Sequence, residues 1–71
     1  MAEIIAPLTG NVWKILVSVG QQFQAGETLV ILESMKMEIP VEAEESGTVV
    51  EIKTHEGAAV NENAVLLLCQ P

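Results

Sequence analysis

The chain has 71 residues, with three lysines, no arginine, ten glutamates, no aspartate and a formal net charge of −7. It has no basic stripe, which excludes nucleic acid and anionic membrane surfaces as partners, since both need clustered Lys and Arg. A single Cys69 excludes an internal disulfide and a cysteine-rich zinc cluster, and no apolar run approaches the roughly 20 residues that cross a bilayer. The segment Met1–Pro7 lacks the basic and apolar regions of a signal peptide, so a cytoplasmic protein is expected. A chain this short buries only about 60% of its unfolded surface, so residues 1–71 are expected to form one small domain with a modest core.

Strands are predicted over 3–6, 11–18, 22–24, 28–34, 37–43, 48–54, 59–61 and 64–69. Gly10, Gly20, Gly26, Gly47, Gly57 and Asn63 punctuate the chain at intervals that suit short strands joined by turns. Val12, Ile15, Val17 and Val19 follow strand spacing, apart from the three-residue step between Val12 and Ile15. The same step recurs between Val49 and Ile52, and a repeated break of this kind predicts a β-bulge that bends the sheet. Thr28–Glu33 and Ala64–Cys69 are nearly continuous apolar runs, suited to strands covered on both faces. No helical stripe persists beyond a turn or two, so an all-β fold is expected.

A shift of 37 residues (47 − 10) superposes the two halves: Ala6 falls on Ala43, Val12 on Val49, Ile15 on Ile52, Gly20 on Gly57 and Leu29 on Leu66. Gly26 falls on Asn63, and Asn is the next residue after Gly to accept a positive φ. Half-repeats of about 5–32 and 42–69 therefore predict a pseudo-twofold axis, with residues 33–38 linking the halves at one end and the termini at the other.

That link reads Glu33-Ser34-Met35-Lys36-Met37-Glu38. Tight turns normally use Gly, Asn, Asp or Pro, so a turn of Met and Lys breaks the local rule and marks a candidate site. The Met-Lys-Met core at the centre of a twofold repeat, with Ala6-Pro7 and Gly10 upstream, resembles the modification site of the biotinyl/lipoyl attachment family, in its biotin carboxyl carrier branch. The resemblance covers essentially the whole chain. It differs in having Ser34 where the family usually has Ala, and in lacking both the protruding insertion of some members and a preceding Ala/Pro-rich linker. Either a small free-standing carrier or a domain excised from a larger chain is expected, the starting Met1 favouring the former.

The resemblance implies a flattened β-barrel/sandwich hybrid of two four-stranded antiparallel sheets, with Lys36 at a protruding hairpin tip. It implies that a biotin protein ligase acylates Lys36 with biotin, on an arm reaching ~13 Å beyond the backbone. It further implies shuttling of a carboxyl group between the biotin carboxylase and carboxyltransferase of a biotin-dependent carboxylase, acyl-CoA substrates being expected. Met35 and Met37 are implied as ligase-read flanks. Glu33, Ser34 and Glu38 read as weaker recognition residues, with a solubilising role the plainer account of the two glutamates. The domain is expected to be a monomer without catalysis of its own. A lipoyl carrier of a 2-oxo-acid dehydrogenase complex, with lipoate as cofactor, is the alternative, although such sites usually read Asp-Lys-Ala or Asp-Lys-Val. An unmodified barrel-sandwich interaction module is a third reading, which leaves the Met-Lys turn unexplained. His55, Cys69 and Trp13 read as structural: a surface residue, a small core hydrophobe and an outer-face side chain.

Overall fold

The computed structural model describes all residues, 1–71. Eight strands form: β1 (Ala2–Ile5), β2 (Gly10–Ile15), β3 (Gln22–Phe23), β4 (Thr28–Ser34), β5 (Met37–Glu42), β6 (Gly47–Ile52), β7 (Ala59–Val60) and β8 (Val65–Gln70), with no helix. They make two antiparallel four-stranded sheets, ordered β1-β8-β6-β3 and β5-β4-β2-β7. The sheets stay separate, so the fold is a flattened sandwich.

The 37-residue shift turns one sheet into the other, strand for strand. It also preserves the register: Asn11, Val12 and Lys14 of β2 face Glu33, Leu32 and Ile31, while Thr48, Val49 and Glu51 of β6 face Gln70, Cys69 and Leu68. The skipped residues, Trp13 and Val50, are the two expected bulges, and each lets its strand twist across the flat core. The 14 backbone hydrogen bonds outside the strand ladders also pair up, as in Gly20 N–H to Val49 O at 2.8 Å and Gly57 N–H to Val12 O at 2.7 Å. Each half contributes strands to both sheets, so neither half completes a sheet alone.

Burial explains why this pattern folds. Ala6, Val12, Leu29, Val30 and Leu32 are buried, and so are their partners Ala43, Val49, Leu66, Leu67 and Cys69. Leu29, Leu32, Leu66 and Leu67 are fully enclosed, each stabilising the fold by about 1.5–3 kcal/mol relative to exposure. Burial pushes the Cys69 thiol above its ordinary pKa, in keeping with a side chain that fills space. Gly26 (φ 88°) and Asn63 (φ 73°) occupy equivalent left-handed turns, as the repeat predicts.

Strands β2 and β6 are shorter than the predicted 11–18 and 48–54. Leu16 N–H still reaches Leu29 O at 2.9 Å, after which the chain bends into the left-handed turn at Gly20. Val17 turns into the core, but Val19 is 63% exposed, so alternation ends where the neighbouring strand stops supplying partners.

The strand directions set the two ends of the domain, which measures 32 × 20 × 18 Å. Strand β1 runs toward Gly10, which lies against the Glu33 carbonyl beside the β4–β5 turn; a Cβ there would come within 2.7 Å of that oxygen. The start of β1 and the end of β8, where Ala2 faces Cys69, therefore lie at the far end. The hairpin and the chain termini occupy opposite ends.

Candidate functional site

Strands β4 and β5 are joined by two residues only. Ser34 faces Met37 across the base of the hairpin, and Met35 (φ 51°) and Lys36 (φ 65°) form the turn. Positive φ at both central residues defines a type I′ turn, whose twist matches a β-hairpin and which strongly prefers Asn-Gly. Met and Lys have a Cβ that crowds the backbone there, at a cost of about 1–2 kcal/mol for each residue. Sequence reading located the turn but not this left-handed pair, because neither residue type signals it; the two-residue spacing between paired strands was the available clue.

The strained turn presents its side chains outward. Met35 is 92% exposed and Met37 62% exposed, so neither fills the core, and Lys36 is exposed between them. Among the three lysines, Lys53 pairs with Glu51 at 3.3 Å and Lys14 lies 5.6 Å from the centre of the Trp13 ring. The Lys36 ammonium has neither kind of partner. Glu33 and Glu38 are exposed and face each other across the hairpin, an arrangement that is mildly destabilising for like charges. Ser34 is half-buried over Gly10, where an added Cβ would lie 3.4 Å from the Ser34 Cβ and 2.7 Å from the Glu33 carbonyl oxygen, so the hairpin base requires glycine at position 10. The Met-Lys-Met segment and its two glutamates thus form one exposed tip.

The other singled-out residues lie elsewhere. His55 is exposed, and no three His, Cys, Asp or Glu side chains come together as metal ligands. Trp13 is 42% exposed at the bulge of β2.

An unpartnered amine on a rigid, exposed hairpin fits a covalently attached group. The chain matches the biotin/lipoyl family, described as that of biotin-requiring enzymes, over residues 2–68. It is 53% identical over 60 residues to a biotin/lipoyl attachment protein of Bacillus subtilis, spanning 84% of this chain and 82% of that protein. It is 32% identical to the biotin carboxyl carrier protein of acetyl-CoA carboxylase from Nostoc, spanning the whole of this chain and 43% of that protein. A single-chain, multi-domain long-chain acyl-CoA carboxylase contains a region that superposes with a TM-score of 0.93 at 29% identity, covering 97% of this chain and 7% of that one. The chain belongs to the biotin/lipoyl attachment family.

Proposed function

We propose that Lys36 is the attachment residue and that the domain is the carboxyl carrier of a biotin-dependent carboxylase. The observation that carries this reading is the free, exposed Lys36 amine in a strained two-residue turn, where no packing demand accounts for Met or Lys. Attachment by a biotin protein ligase joins Nζ to the biotin carboxyl carbon as an amide. The amine loses a proton, and AMP leaves from biotinyl-adenylate. Biotin itself supplies the carboxyl-transfer chemistry through its ureido nitrogen.

The chain supplies position. Strands β4 and β5 hold Lys36 at one end of a 32 Å body, so the arm sweeps space clear of the sandwich. Tethering raises the effective concentration of the carried group at each enzyme the domain visits. Met35 and Met37 offer a flexible apolar collar that a ligase and a carboxylase can both contact. Acyl-CoA carboxylases are the favoured setting, because the relatives include the carrier protein of acetyl-CoA carboxylase and the alpha3 subunit of a biotin-dependent acyl-CoA carboxylase. On this reading the partners are a biotin carboxylase and a carboxyltransferase, and the domain catalyses no step.

The first prediction tests the assignment. Protein co-produced with a biotin ligase should gain the mass of one biotinyl group, mapped to the peptide containing Lys36. Lys36→Arg should keep the fold by circular dichroism and gain none. Biotin persisting on the Arg variant would overturn the site. A lipoyl increment in its place would support a lipoate carrier, a reading kept open by the dual name of the Bacillus relative.

A further inference from the structure

The pseudo-twofold repeat makes any departure from symmetry informative, and the largest lies at the end opposite Lys36. Strands β1 and β5 are equivalent edge strands of the two sheets. In β5 the edge is sealed at one position. Pro40 faces Ile31 and has no N–H, so its nitrogen points away from β4 and leaves the edge without a donor there. The equivalent residue in β1 is Glu3, facing Leu68. Its N–H and C=O therefore point outward, unpaired. Ala6 donates to Ala64 at 2.9 Å, so by strand alternation the Ile5 N–H also points outward.

The loops differ in the same sense. Leu8 is half-buried near the sealed edge, and the neighbouring Thr9 Oγ1 accepts from Glu62 N–H at 3.1 Å. The equivalent residues at the open edge are Glu45 and Ser46, both exposed. A cleft of about 400 Å³ lies along β1, with Phe23 and Val41 among its apolar lining and Glu3, Glu42, Glu44 and Glu45 among its polar lining. That volume is within the range of binding clefts. No lysine or arginine lines it.

We propose that this cleft binds an extended segment of a partner protein, added as a fifth strand to β1, with basic side chains alternating with apolar ones. Main-chain pairing to Glu3 and Ile5 gives the affinity, and the alternating side chains meet the glutamates and the apolar floor. A second copy of this chain is the wrong occupant: its own β1 carries Glu3 and its net charge is −7, so two such edges repel. The cleft is about 17 Å along β5 from the hairpin. A segment held there anchors the domain while leaving Lys36 free to move its load. The proposal does not depend on which residue carries biotin.

The test uses the full chain, unmodified and biotinylated, and a short labelled peptide of alternating lysine and valine, with a lysine-to-glutamate control. Both forms of the protein should bind the lysine peptide saturably and more weakly at high salt, and the Glu3 and Ile5 amides should exchange more slowly. Glu3→Pro copies the sealed edge without touching the β1–β8 ladder. It should weaken binding about tenfold, the loss expected for one or two main-chain hydrogen bonds. Should Glu3→Pro fail to fold, the doubly substituted Glu44→Lys, Glu45→Lys protein, altered only at exposed loop positions, should bind the peptide more weakly. Unchanged binding by a folded variant, or no binding by the natural chain, would overturn the proposal. So would a concentration-dependent dimer that Glu3→Pro abolishes, since the occupant would then be a second copy.

Discussion

Leu29 and Leu66 occupy one environment twice, whereas Met35 and Lys36 occupy theirs once. The first pair is fully buried at matched positions in two interlocked half-repeats. The second pair lies outside both half-repeats, in the turn that joins them. The duplicated region uses residues that satisfy local and tertiary demands together. The unduplicated hairpin uses residues that conflict with their own backbone. What is repeated serves stability; what is single is free to serve a function.

The largest expected effect tests the duplicated side of that contrast. Leu29→Ala and Leu66→Ala should each cost about 2–5 kcal/mol, measured by denaturant unfolding, and the two costs should agree to within about 1 kcal/mol. Against a typical total of about 5–15 kcal/mol, either variant sits near the edge of stability. A difference of several kcal/mol between them would show that equal burial conceals unequal packing.

A smaller effect sharpens the same comparison through the backbone alone. A Cβ at Gly26 meets nothing within 4 Å, so Gly26→Val should cost about 1–2 kcal/mol from the left-handed conformation only. Asn63→Gly, at the equivalent turn, should be neutral or stabilising by a few tenths of a kcal/mol, because glycine enters that region without strain. Equal destabilisation by the two substitutions in thermal melts would remove the equivalence.

Much of this was legible in the sequence, because turn residues and burial follow local rules in the duplicated region. Gly26 and Asn63 announced matching turns, and the Val12–Ile15 and Val49–Ile52 steps announced both bulges. The ends of β2 and β6 were not legible. Val17 and Val19 continue the apolar alternation, but a strand ends where its neighbour stops offering partners, a tertiary fact. The Met-Lys-Met segment showed where the hairpin turns. Its left-handed backbone was hidden, because Met and Lys give no propensity signal for it. The sealing role of Pro40 and the open edge at Glu3 were hidden for another reason: both depend on pairing between strands far apart in the chain.

The smallest expected effect tests whether the hairpin really stands against its own stability. Replacing Met35 by Asn and Lys36 by Gly installs the dipeptide that a type I′ turn prefers. Both residues are exposed and make no core contact, so the exchange removes backbone strain and little else. The doubly substituted protein should be more stable by about 1 kcal/mol, which raises the melting temperature of a domain this size by about 4–8 °C. It should also take up no biotin. Met35→Asn alone should recover part of the stability while keeping the Lys36 amine, so its biotin uptake separates the backbone requirement from the side-chain requirement. If the double substitution leaves stability unchanged or lowers it, Met35 and Lys36 are not strained, and the contrast between scaffold and hairpin rests on exposure alone.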